Sequence, residues 1–509
     1  MANSINIPRT HLIMGLCLPL AVLLGYFLAQ PLESGSIAVV VLVLSLLSVP
    51  LLMKWHHPML ILSWNASANP LFLPGRPCLW MVMAFVSLFF AILSRSVNSQ
   101  RRFIQVPSLT KPLLFLGIVV IATAMLTGGI GIRSLGSERY GGKGYFYLLA
   151  AIGGYFAFTS QRIPPGKGRF YLGMFFLAGL TSIIGDLALF GGGPFTFLLY
   201  VFAPDDGMEK IAGGSSVALG MVRLGALPAA AAALYGWLLA RHGFKGTFEL
   251  GKPWRLGLIC LTIIGCLASG YRSSLILFGL ILIFLFCFEG LHRTRLFPAM
   301  IGLALLLGVV VFPQADKLPL MAQRALSFLP AVPVNPLAKE SAQASTEWRV
   351  EMWKQVLPQV PRYFIKGKGY ALDPNDLFMA QISAYRGFGI QASGAVVAGD
   401  YHNGPLSVLI PFGVFGLIGF TWLIIAGVRL LYFYHRFGAP EFQRINTFLL
   451  AAFLAKVCFF VFIFGSINSD LCTLLGMLGV SVSLNGAPET ANEPEFSPEP
   501  LTVFSERAY

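Results

Sequence analysis

The chain has 509 residues, 56% of them hydrophobic and only 11% charged, with a mean hydropathy of +0.73. An ordinary soluble domain is about 25% charged, so this balance excludes a soluble globular protein and implies a polytopic membrane protein. The formal charge of +14 raises nucleic-acid binding, but the cations sit in short loops between apolar runs, as a positive-inside bias requires, and no nucleic-acid partner is expected.

In lipid only helices or closed barrels satisfy the backbone. The apolar runs are long and do not alternate, which predicts an all-α fold. In chain order they cover 11–30, 36–53, 58–73, 79–94, 112–130, 143–160, 170–190, 221–240, 256–270, 273–290, 296–313, 404–431, 445–465 and 470–485. These are fourteen candidates, and 12–14 transmembrane helices are expected. The run 58–73 is among the weakest because it contains Asn65, Asn69 and Pro70. Residues 191–203 prolong the seventh run or re-enter the membrane. The first run lacks a strongly charged start and a small-x-small site, so it reads as a retained helix rather than a cleaved signal.

The expected organisation is N-terminal membrane helices over 1–313, a long polar loop over 314–403, C-terminal membrane helices over 404–485, and a tail over 486–509. The tail is rich in proline and glutamate and reads as disordered and cytoplasmic. With the N-terminus in the cytoplasm and all fourteen runs crossing, inner segments hold seventeen basic residues and short outer loops seven. That bias places the 314–403 loop outside. Within it, Trp348, Met352 and Val356 have helical spacing, which predicts an amphipathic helix around 346–357 resting on the bilayer. None of the seven cysteines lies in the loop, and no disulfide framework or CxxC spacing is present. No Walker A string, no HExxH and no GxGxxG opening a helix after a strand occurs. No metal or other cofactor is therefore expected.

Three positions stand out for chemistry. His402 lies in Gly399-Asp400-Tyr401-His402-Asn403, directly before an apolar run. Histidine exchanges protons near neutrality, and Asp400 is placed to orient it; the plain alternative is an interfacial helix cap. Arg349, in Glu347-Trp348-Arg349, is suited to a bidentate phosphate contact, or simply belongs to a surface helix. Arg272 follows Tyr271 in a short outer hairpin before Ser273-Ser274. It is a phosphate ligand or a snorkelling arginine. Arg133, Arg139, Lys143 and Arg223 are further outer cations that would suit a pyrophosphate if several converged, or are ordinary loop charges.

The order Tyr-Arg-Ser-Ser at the start of a run, a long outer loop with Arg349, Trp353, Gly367 and Gly369, then His402-Asn403 before a run rich in Leu, Gly and Phe, resembles the O-antigen ligase and polymerase family over roughly 256–436. The resemblance implies an inverting membrane glycosyltransferase, similar in fold to the GT-C class, in the bacterial inner membrane with its active site facing the periplasm. Its donor would be an undecaprenyl-pyrophosphate-linked glycan. Its acceptor would be a glycolipid sugar (ligase), another lipid-linked glycan (polymerase) or a protein hydroxyl. The implied catalytic residues are His402, Arg349 and Arg272, with Asp400, Tyr401, Asn403, Tyr271, Arg133, Arg139 and Arg223 around the substrates. A transporter or lipid flippase is the reading from another class; it would show paired halves, and none are seen.

Overall fold

Residues 9–28, 34–70, 75–98, 102–131, 141–212, 222–329, 332–372, 375, 378, 396 and 399–488 are described by the computed structural model. The tail beyond 488 and the expected ligands Arg133 and Arg139 lie outside the described residues. The N-terminal part contributes α1 (Arg9–Leu28), α2 (Ser34–Ser63), α3 (Leu79–Val97), α4 (Pro107–Thr127), α5 (Gly142–Phe158), α6 (Gly168–Leu177), α7 (Ile184–Gly191) and α8 (Asp206–Ala212). Then come α9 (Ala226–Thr247), α10 (Pro253–Ser269), α11 (Arg272–Phe288) and α12 (Leu296–Val311). The loop holds α13 (Leu320–Leu326), α14 (Pro336–Val356) and α15 (Val360–Tyr363). The chain closes with α16 (Gly404–Phe437), α17 (Gln443–Phe462) and α18 (Ile467–Asn485).

Among the described residues seven helical segments are long and apolar enough to cross a membrane: α3, α4, the broken pair Gly168–Gly191, Leu296–Lys317, α16, Pro440–Phe462 and α18. The shorter apolar helices α10 and α11 have 17 residues each. The protein is an all-α, multi-pass membrane protein.

One expectation needs correction. The runs 36–53 and 58–73 are not two helices joined by a polar turn, because 34–63 is one continuous helix of 30 residues with Pro50 and Pro58 inside it. The polar stretch needs no water because its histidines are buried and partnered. His56 Nδ1 lies 2.8 Å from Ser87 Oγ, and His57 Nε2 lies 3.0 Å from the Phe158 carbonyl oxygen. Residues 193–200 form a 3₁₀ helix after α7.

Without a hydrophobic force between helices in lipid, close packing and small residues hold the bundle. The pairs α5–α18, α4–α16, α3–α5, α9–α10, α11–α17 and α16–α17 are neighbours. Trp64 shows how: its ring fills the space over Gly154 and Gly476, where an added Cβ would come within 2.3 and 2.1 Å of it. Its Nε1 donates to the Cys472 carbonyl at 3.1 Å.

The loop docks into a break in α16. Gly413 has φ 64° there, two residues after Pro411. The break frees carbonyls that a continuous helix would use. Lys368 N–H donates to Ile410 O at 2.8 Å and Gly369 N–H to Pro411 O at 3.0 Å, while Val414 N–H donates to Phe364 O at 2.6 Å. Irregular backbone at membrane depth survives only when its polar groups are satisfied in this way.

The amphipathic segment expected over 346–357 belongs to the longer α14, 21 residues starting at Pro336. Asn335 Oδ1 caps it, accepting the Leu337 N–H at 2.9 Å, and Pro336 occupies a first-turn position where its missing N–H costs nothing. Met352 and Val356 are fully buried with Tyr401 and Ile410. That part of its apolar face therefore packs on protein rather than on lipid. At the opposite end of the bundle Arg169, Arg241 and Arg444 line one cleft.

Candidate functional site

The end of the bundle that carries the 314–403 loop is assembled around α14. Arg324, on α13, is only 3% exposed. Its Nη1 donates to the Gly270 carbonyl at 2.5 Å, its Nε to Ser341 Oγ at 3.0 Å and its Nη2 to Ser345 Oγ at 2.9 Å. Ser345 Oγ also accepts from Arg223 Nη2 at 2.7 Å and gives its own proton to the Ser341 carbonyl at 2.9 Å. One hydroxyl thus holds two guanidinium groups side by side. Arg272 Nη2 reaches α14 as well, donating to Ala342 O at 3.0 Å and Thr346 Oγ1 at 3.3 Å. The Arg223 guanidinium carbon lies 6.0 Å from the centre of the Tyr271 ring.

Arg349 projects from the same helix, its guanidinium carbon 5.6 Å from the centre of the Phe464 ring. Burial first, then the charges of Arg272 and Arg223, push its pKa below the ordinary value. Arg324 is pushed down to about 10, by burial and then by Arg223 and Arg272, with Arg349 adding to the effect and Tyr271 opposing it. The four arginines feel one another, yet among the described residues none makes an ion pair with a carboxylate. Such a concentration of unneutralised, partly desolvated guanidinium groups favours an anionic ligand.

His402 lines the same cavity. Its φ is +49°, a left-handed conformation that is uncommon for a non-glycine residue and costs about 1–3 kcal/mol. The ring is gripped between Trp348 and Phe464, with centroids 5.0 and 4.9 Å away, both edge-on. His402 Nδ1 lies 2.8 Å from Asp400 Oδ1. Since an ionised carboxylate only accepts, Nδ1 carries the proton and Nε2 is the basic atom, a tautomer assigned from the hydrogen bond. Burial opposes ionisation of Asp400, but the hydrogen bonds and charge of His402 outweigh it and hold the carboxyl below its ordinary pKa. Arg223, Glu340, Ser341, Ser345, Trp348, Arg349 and His402 line an open cavity of about 490 Å³.

The expected residues thus divide by position. Arg223, Arg349 and His402 line the cavity. Arg272, Tyr271 and Asp400 stand behind it. Asn403 Oδ1 caps α16, accepting the Leu406 N–H at 3.1 Å. Tyr401 is 2% exposed in the cluster under α14, and its carbonyl accepts Trp353 Nε1–H at 2.9 Å. Sequence reasoning missed Arg324, Ser341, Ser345 and Phe464. The basic Arg324 and the i, i+4 pair Ser341 and Ser345, one turn above Arg349, were the available signal on the loop helices. Phe464 offered none, one phenylalanine among 43.

Residues 257–421 match the family model described as O-antigen ligase. This stretch is similar to O-antigen ligases. No curated protein matches the chain. The matched segment runs from α10 into α16 and contains Arg272, Arg324, Arg349 and His402; from outside it Arg223 lines the same cavity and Phe464 packs against His402. The family implies glycan transfer at a membrane, of ligase or polymerase type. Among the described residues no group of three or more His, Cys, Asp or Glu side chains gathers that could hold a metal.

Proposed function

We propose that the protein transfers a glycan from undecaprenyl pyrophosphate to an acceptor hydroxyl at the periplasmic face of the bacterial inner membrane. The observation that carries this is the cavity itself, which Arg223 and Arg349, without a carboxylate partner among the described residues, line together with His402, whose Nδ1 is held by Asp400. The arginines bind the donor pyrophosphate and stabilise the charge it develops as it leaves. His402 Nε2 takes the proton of the acceptor hydroxyl. The acceptor oxygen attacks the anomeric carbon from the face opposite the sugar–phosphate bond. That bond breaks, its electron pair leaves with the lipid pyrophosphate, and the anomeric centre inverts. Asp400 keeps the imidazole in its orientation and stabilises the imidazolium that forms. No redox partner or nucleotide is required, because the pyrophosphate is already a leaving group.

The family offers a glycolipid, a second lipid-linked glycan or a protein as acceptor, and analysis of the surface glycolipids of a deletion strain separates them. Loss of attachment marks a ligase and a single-repeat glycan a polymerase. The direct test is transfer from purified lipid-linked glycan in detergent, with chelator present and no nucleotide. His402→Ala is expected to lower turnover by about two to four orders of magnitude. Wild-type turnover in His402→Ala would overturn the role of the histidine, and a strict need for metal or nucleotide would overturn the mechanism.

A further inference from the structure

Arg223 lines the arginine cavity from outside the matched residues 257–421. Its guanidinium meets Ser345 Oγ and the Tyr271 ring. Its backbone is held from another direction, by two carboxylates that the transfer step does not use. Asp186 sits in the first turn of α7 and is 6% exposed. Its Oδ1 accepts the Asp205 N–H at 2.7 Å. Asp205 Oδ2 in turn accepts the Gly207 N–H at 3.1 Å and the Gly225 N–H at 2.9 Å. One carboxylate oxygen thus closes the turn that opens α8 and grips the chain just after Arg223.

The three segments touch backbone to backbone. An added Cβ at Gly185 would fall 2.4 Å from the Ala203 carbonyl oxygen, and one at Gly207 would fall 2.0 Å from the Arg223 carbonyl oxygen. Neither place admits a side chain unless main chain moves, so α7, the turn at 203–207 and the chain at 223–225 stack directly. Two further bonds fix the far side. Ser182 Oγ donates to the Ala226 carbonyl at 3.0 Å, and the Leu224 N–H donates to the Ser269 carbonyl at 3.4 Å. Asp205 is near enough for its charge to reach the site. Burial first, and then Asp205, raise the pKa of Tyr271, while Arg223 and Arg324 lower it. Yet among the described residues Asp205 makes no ion pair with an arginine. It acts on Arg223 through the main chain and does not neutralise it.

We propose that Asp205 is a positioning residue of the arginine cavity. Set by Asp186, it fixes the backbone at 223–225, and with it the place of the Arg223 guanidinium on the wall shared with Arg349 and His402. The proposal rests on the reading of that cavity as the site of the donor pyrophosphate. The tether needs an acceptor oxygen at one place and not a negative charge. Asp205→Asn keeps such an oxygen on a stem of the same length. Asp205→Glu keeps the charge and carries its oxygens one carbon further out.

The test uses the purified full chain in detergent. Inorganic pyrophosphate is the probe, read by calorimetry, and hydrogen–deuterium exchange of the 222–226 amides is a readout that needs no ligand. Exchange at Gly225 should be slow in the wild type and in Asp205→Asn, and about tenfold or more faster in Asp205→Ala and Asp205→Glu. The pyrophosphate Kd should stay within about threefold of wild type in Asp205→Asn and rise about tenfold in Asp205→Ala and Asp205→Glu. In an Arg223→Ala background Asp205→Glu should add nothing to the loss, because no guanidinium remains to be misplaced. Should Asp205→Ala fail to fold, the contrast between Asp205→Asn and Asp205→Glu still decides. Equal losses in those two variants would make charge, not position, the cause and would overturn the proposal. Full additivity with Arg223→Ala, the mark of a merely structural loss, would overturn it too. Unchanged exchange in Asp205→Glu would remove the tether itself. The donor reading fails separately: pyrophosphate bound as tightly by Arg223→Ala as by the wild type would take Arg223 out of the donor site, while the exchange rates still decide the tether.

Discussion

Each arginine at the outer end has a different relation to its surroundings. Arg324 is spent on carbonyl and hydroxyl partners and is nearly closed off from solvent. It positions rather than binds. Among the described residues the Arg349 guanidinium has no ion-pair partner; on the proposed role Arg349→Lys, which retains charge but not planarity, should lower transfer on the order of a hundredfold. Transfer within twofold of wild type at equal protein level would remove it from the site. Ser345→Ala removes the oxygen shared by Arg223 and Arg324. It should cost about 1–3 kcal/mol of stability, the cost of leaving a buried donor unmade, and should weaken donor binding. An unchanged thermal midpoint and unchanged donor KM would refute the shared clamp. For Asp400 the sign follows from its lowered pKa. Its stabilising contribution is complete above the unfolded-state value of about 3.9 and is lost as pH falls through the still lower folded value. A fall in transfer between pH 7 and 5 must therefore come from another group. Asp400→Asn should preserve the fold and remove the Asp400 share of the stability lost below about pH 4, a comparison read from thermal melts across pH.

At the level of elements, the end that carries the arginine cavity depends on a broken helix. Proline and glycine open α16 at 411–413, and the Gly367-x-Gly369 turn supplies the missing backbone partners. A side chain at Gly413 meets two obstacles. Its φ of 64° disfavours any Cβ, and that Cβ would lie 2.5 Å from the Ile365 carbonyl oxygen. Gly413→Val should destabilise the protein by at least about 1–3 kcal/mol, loosen the loop and lower transfer together with protease resistance. Gly279, in α11 with nothing within 4 Å of an added Cβ, is the control; Gly279→Ala should leave both unchanged. Equal behaviour of the two variants would deny the docking role. The same logic applies to the turn after α17, which presents Phe464 to both His402 and Arg349. That turn is pinned by Asp470, which accepts the Ser466 N–H at 2.9 Å and pairs with Lys456 at 2.7 Å. A buried pair of this kind is costly to break on one side.

At the scale of the whole molecule, the bundle has two chemically distinct ends. α5 and α18 both begin at the end that carries Lys143, Asn468 and the loop, and both finish where Arg162 donates to the Asn485 carbonyl at 3.5 Å. The cationic cleft of Arg169, Arg241 and Arg444 suits the cytoplasmic side. A cysteine replacing exposed Gln343 on α14 should react with a membrane-impermeant maleimide in cells with an intact inner membrane. One replacing exposed Lys245 should react only after lysis. The reverse pattern would overturn the proposed topology and the proposed periplasmic placement of the cavity.

Class, helical nature and the resemblance carried by Arg272, Arg349 and His402 were legible in the chain, because hydropathy and motif spacing are properties of neighbouring residues. The continuous helix through Lys54–Pro58 was not, because its histidines are satisfied by Ser87 and the Phe158 carbonyl, 31 and 101 positions away. Nor was the role of Arg324, Ser345 or Phe464, ordinary residues made significant by what packs beside them. Local sequence determined which segments enter the membrane and which polar groups stay at its surface. Only the tertiary structure decided which of those groups face one another, because that depends on side chains from distant helices excluding water together and completing each other's hydrogen bonds.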